Sequence, residues 1–95
     1  MSDKKLPFLE IIAHVATFHD AFGINNASKP LLLETEADKL LRYNLMKEEN
    51  EEYLEACQNN NLVEIADALG DQLYILCGTI LRHGLQDKIE EVFLE

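Results

Sequence analysis

Apolar positions recur at three- and four-residue intervals along most of the chain, and no alternating run is long enough to make a strand. The spacing predicts a first helix that Pro7 opens, running through Phe8, Ile11, Ile12, Val15, Phe18 and Phe22, with Gly23 closing it. Residues 24–33 (INNASKPLLL) carry Asn25, Asn26, Ser28 and Pro30 and read as a loop with apolar anchors. Thr35 followed by Asp38 resembles an N-cap pair, and a helical pattern then continues to about Gln58. Asn59, Asn60 and Asn61 make a turn. Asn61 with Glu64 reads as a capping box for a third helix that stops at His83–Gly84, and Asp87 with Glu90 repeats that signature for a short fourth one.

The expected architecture is therefore all-α: an antiparallel helical bundle of about four helices, one domain over residues 1–95, with helices two and three as its central hairpin. The third helix carries Leu62, Val63, Ile65, Leu69, Leu73, Tyr74, Ile75, Leu76, Ile80 and Leu81 around most of its circumference. A helix apolar nearly all round must be buried, and so short a chain has few helices to bury it. A homodimer or homotetramer that completes the core is the expectation.

Composition narrows the function. The chain has 95 residues, is 47% hydrophobic, and carries 18 acids against 8 bases, a formal charge of −10. That balance argues against direct binding to nucleic acid or to an anionic membrane, both of which demand a basic footprint. Cys57 and Cys77 lie in apolar-periodic stretches without metal-type spacing and read as reduced core thiols of a cytoplasmic protein. The longest apolar run, Leu73 to Leu81, is too short to span a bilayer. Lys4 and Lys5 precede an apolar stretch, but Glu10 and His14 interrupt it, so a signal peptide is not expected.

The candidate chemistry lies in the acids. Glu48, Glu49, Glu51, Glu52 and Glu55 crowd one helix. At 100° per residue, Leu41, Leu45, Met46, Tyr53, Ala56 and Cys57 define its apolar side. Glu49 projects into the middle of that side, Glu52 lies on its flank, and Arg42 shares the stripe. Glu48 is at the border, while Glu51 and Glu55 turn to solvent. Glu64, Asp67 and Asp71 form a matching stripe on the third helix, with Arg82 further along it. Carboxylates inside a seam cost several kcal/mol unless a cation pairs them. Two antiparallel helices that each bring a carboxylate pair make an all-oxygen site, which suits Mg²⁺ or Mn²⁺ rather than zinc or iron. The Glu-x-x-His motifs of a di-iron bundle are missing.

These residues resemble a family. Glu48-Glu49-Asn50-Glu51-Glu52 fits the EExxE motif of the all-α nucleoside triphosphate pyrophosphohydrolases, which include the MazG-like proteins, phosphoribosyl-ATP pyrophosphohydrolase and dimeric dUTPases. Glu64-Ile65-Ala66-Asp67 satisfies the ExxD motif expected on the next helix. Phe18-His19-Asp20-Ala21-Phe22-Gly23 looks like their FHxAxG stretch, and Asp71-Gln72-Leu73-Tyr74-Ile75-Leu76-Cys77-Gly78 like their D-x-L-Y-x-x-x-G segment. The resemblance covers residues 15–95. Aligned on the apolar segment, however, the motif aspartate is Asp71 and the glutamate position holds Ala68, so Asp67 stands in one turn earlier.

The resemblance implies a Mg²⁺-dependent hydrolase that splits a nucleoside triphosphate at the α-phosphorus into monophosphate and pyrophosphate. Glu49, Glu52 and Asp71 are then the metal ligands, with Asp67 fourth and Glu64 beyond it. Glu48 is the general base, and Arg42 and Arg82 touch phosphate. Phe18, Phe22 and Tyr74 form an apolar base pocket. His14 and His19 read as structural, His19 being the better placed of the two to reach substrate. Relatives continue past the terminal helix into an Asn- and Lys-bearing segment that helps hold the phosphates, which is expected to be missing here. The rival reading is a non-catalytic nucleotide-binding or protein-interaction module on the same scaffold.

Overall fold

A computed structural model describes residues 7–95, and among them there are four α-helices and no strand: α1 (Pro7–Ala21), α2 (Glu36–Gln58), α3 (Leu62–Arg82) and α4 (Ile89–Leu94). Lys4 and Lys5 lie outside the described residues. The helices start and stop where local chemistry dictates. The Thr35 hydroxyl accepts from the Asp38 amide at 3.0 Å and opens α2. The Asn61 side-chain oxygen accepts from the Glu64 amide at 3.1 Å and opens α3.

All three long helices end the same way. A residue with positive φ follows each: Gly23 (72°), Asn60 (52°) and Gly84 (66°). Each makes the paired backbone bonds of a Schellman motif, such as Ile24 N–H to His19 C=O, Asn61 N–H to Ala56 C=O and Leu85 N–H to Ile80 C=O. The expected cap on α4 is not made. Lys88 occupies that position without a side-chain bond, because a turn closed by Lys88 N–H to Leu85 C=O carries the chain past Asp87 before the helix begins.

The chain clusters into two compact units, Leu33–Leu76 and the segments on either side of it. In the flanking unit, Ile12, Val15 and His19 of α1 are buried, as are Cys77, Ile80 and Leu81 at the end of α3. The loop after α1 is tied to that end of α3 through main-chain carbonyls. Ala27 N–H donates to Leu81 C=O, Arg82 to Asn25 C=O and Gln86 to Ala27 C=O. Gly84 sits so close under this loop that a Cβ there would collide with the Lys29 carbonyl.

The central unit is the antiparallel hairpin of α2 and the first part of α3. Leu33, Ala56, Ala68 and Ile75 are buried in it. Full burial of α3 is not reached within one chain: Leu62 and Val63 remain 77% and 72% exposed, and Leu69 and Leu76 about half so. The sequence pattern demands cover that the described residues do not supply. Both cysteines are free; Cys77 is fully enclosed and Cys57 partly exposed.

Candidate functional site

The central hairpin brings three carboxylates together. Glu49 and Glu52 stand three residues apart on α2 and so share a face. Asp71 comes across from α3. One oxygen from each lies within 4.8 Å of the other two. Oxygens sharing one divalent cation at about 2.1–2.4 Å can stand no more than about 5 Å apart, so this spacing is compatible with a common ion.

Glu49 shows how unbalanced the group is without a cation. It is half-buried, and its Oε1 is shielded from solvent with no hydrogen-bond partner. Its carboxyl is held above the ordinary value of 4.5, first by desolvation, then by the charges of Glu52 and Asp71, a hydrogen bond with Glu52, and the charge of Glu48. A hard divalent cation would satisfy the enclosed oxygen and cancel the repulsion, and an oxygen-only donor set fits such an ion. The residues present therefore fit a hard divalent cation.

Glu64 and Asp67 are not among the acids whose oxygens converge. They line an adjoining open cleft of about 430 Å³ together with Glu52, Glu55, Ala56, Ala68 and Asp71. Five of these seven residues are acids and none is basic, so the cleft attracts cations and repels bare phosphates. Buried Ala68 presents a methyl group beside Asp71. Glu48 is exposed and lines a groove with Glu51, Glu52, Leu54, Glu55 and Gln58, next to the triplet rather than in it. Glu51 is paired with Lys47 at 3.1 Å. Arg42 and Tyr74 belong to the same unit and are half-buried.

Four of the expected substrate contacts belong to the flanking unit. Phe18 and Phe22 are exposed and stacked, with ring centroids 4.8 Å apart. His19 is only 2% exposed. The Asn26 amide nitrogen donates to Ala16 C=O and to Asp20, which leaves its oxygen to accept from His19 Nδ1 at 2.8 Å. That burial supports the structural reading of His19 over contact with substrate. Arg82 donates to the Asn25 carbonyl and so secures the loop. One pair escaped the sequence reading: Gln72 Nε2 donates to Asn50 Oδ1 at 3.1 Å, each residue directly following a triplet acid.

Comparison with known families supplies the decisive observation. A family model described as phosphoribosyl-ATP pyrophosphohydrolase matches residues 15–95. The chain belongs to that family. The phosphoribosyl-ATP pyrophosphohydrolase family is part of the all-α nucleoside triphosphate pyrophosphohydrolase group, so the expected fold class stands, and membership implies a pyrophosphohydrolase acting on a nucleotide. No curated protein and no solved structure matches the chain. Among the described residues no helix is long and apolar enough to cross a membrane.

Proposed function

We propose that the protein is a Mg²⁺-dependent nucleotide pyrophosphohydrolase of the cytoplasm, with Mn²⁺ as a possible substitute. It hydrolyses a nucleoside triphosphate, a deoxynucleoside triphosphate or a related nucleotide such as phosphoribosyl-ATP at the α-phosphorus. The convergence of Glu49, Glu52 and Asp71 carries this reading, and the enclosed Glu49 oxygen supports it.

Glu49, Glu52 and Asp71 hold the cation, with Asp67 as a fourth ligand and Glu64 further along the cleft. When bound, a divalent cation neutralises phosphate charge and makes a water easier to deprotonate near neutral pH. Glu48, at the edge of the triplet, takes the proton from the attacking water. Oxygen from that water joins the α-phosphorus, the bond from the α-phosphorus to the bridging oxygen breaks, and monophosphate and pyrophosphate leave. Arg42 is assigned to phosphate and Tyr74 to the base. Copies of the chain associate as a homodimer or homotetramer over the exposed positions of α3.

The reading is tested with a panel of NTPs, dNTPs and phosphoribosyl-ATP in H₂¹⁸O, with and without Mg²⁺, with products separated by chromatography. Monophosphate carrying the label plus unlabelled pyrophosphate is expected, and EDTA or Glu49→Gln should abolish both. Diphosphate plus phosphate, or label in the pyrophosphate, would overturn it. The rival reading of a binding module draws on Ala68, whose buried methyl occupies the motif's glutamate position. Metal-dependent nucleotide binding without products would establish that rival.

A further inference from the structure

The three site carboxylates repel one another across the α2–α3 seam. Nearer the turn, buried Ala56 and Ala68 allow close apolar contact between the helices. At the level of Glu49, Glu52 and Asp71 that contact gives way to charge. The Gln72–Asn50 bond, 3.1 Å long, ties the helices at this level. Asn50 is one residue past Glu49, and Gln72 one past Asp71, so the bond links the two carboxylate-bearing turns directly. The required tolerance is small. A carboxylate tip lies about 6 Å from its helix axis, so a turn of about 20° displaces it by about 2 Å. That is enough to spoil a convergence of 4.8 Å.

We propose that Asn50 and Gln72 are positioning residues for the cation, setting the approach of Glu49 and Glu52 to Asp71 while touching neither metal nor nucleotide. The inference rests on the metal-centred reading above and adds two residues to it. An exposed hydrogen bond contributes little to global stability, so its effect should appear in cation affinity rather than in folding.

Mn²⁺ binding without nucleotide, measured by calorimetry and by loss of the free-ion paramagnetic resonance signal, tests the inference alongside thermal melts in EDTA. Asn50→Leu and Gln72→Met keep size and charge but remove the bond from opposite sides. Each should weaken Mn²⁺ binding about tenfold, the low end for residues that support metal ligands, with the metal-free melting temperature unchanged. The exchange N50Q/Q72N moves one methylene from α3 to α2 and should recover part of the loss. Unchanged affinity in both single variants overturns the inference. So do parallel losses of affinity and melting temperature that the exchange does not repair, since those would mean general loosening. Failure of the wild-type protein to bind Mn²⁺ overturns the metal-centred reading and this inference together. Tight wild-type binding, lost in Glu49→Gln but kept in Asn50→Leu and Gln72→Met, overturns the inference alone.

Discussion

Glu49 concentrates the molecule's unfavourable electrostatics in one side chain. Its carboxyl titrates above the ordinary 4.5, so between that value and its raised one the folded state binds more protons than the unfolded state. Stability of the metal-free protein therefore falls as pH rises through this window. Urea melts in EDTA should show the decline, and Glu49→Gln should flatten it while raising the melting temperature near pH 7 by a few degrees. Wild-type protein should be stabilised by Mg²⁺, by about 2.7 kcal/mol at a hundredfold excess over Kd, and Glu49→Gln should not. A destabilised Glu49→Gln in EDTA would mean that the acid is a structural partner. Residue identity made this site legible, because carboxylates on an apolar stripe conflict with the helix that carries them. The Asn50–Gln72 pair was not legible, since exposed amides on helices are ordinary and only the register of α2 against α3 gives them meaning. The structural reading of His19 could name no partner, because Asn26 lies in a loop whose path no periodicity encodes.

At the level of elements, the caps account for how well helix ends could be read. Thr35 and Asn61 make the side-chain bonds that their motifs promise. Asn61→Ala should cost about 1 kcal/mol in chemical denaturation. Gly84→Ala should cost more than about 2 kcal/mol, because it adds left-handed strain to a collision with the Lys29 carbonyl. A loss below 0.5 kcal/mol, as the threshold for a tolerated surface change, would mean that the loop moves aside readily. The Asp87–Glu90 signature failed where these succeeded. A capping motif is a statement about four residues, and here the turn ending at Lys88 outweighs it.

For the whole molecule, the pattern of α3 asks for more cover than one copy provides. Leu62 and Val63 near its start are largely exposed, as is Phe93 on α4 at 86%. Burying one such side chain is worth about 1.5–3 kcal/mol, which is the driving force the proposed association would draw on against the entropy it costs. Sedimentation equilibrium should give a dimer or tetramer, and Val63→Glu should shift it toward monomer. A wild-type protein that stays monomeric at high concentration would refute the association. The negative charge of the chain works against self-association at low salt, so screening should strengthen it.

The two thiols have a practical consequence. Cys57 is partly exposed within the central unit, whereas Cys77 is sealed in the flanking unit, where burial also holds its thiol above the usual range. A colorimetric thiol reagent will therefore find Cys57 in the native protein and must wait for an opening event to find Cys77. With one cysteine in each unit, the chain carries its own pair of reporters. With Cys57 replaced, the labelling rate of Cys77 reads the opening of the flanking unit, while Cys57 alone reports native accessibility, in a sequence that lacks tryptophan.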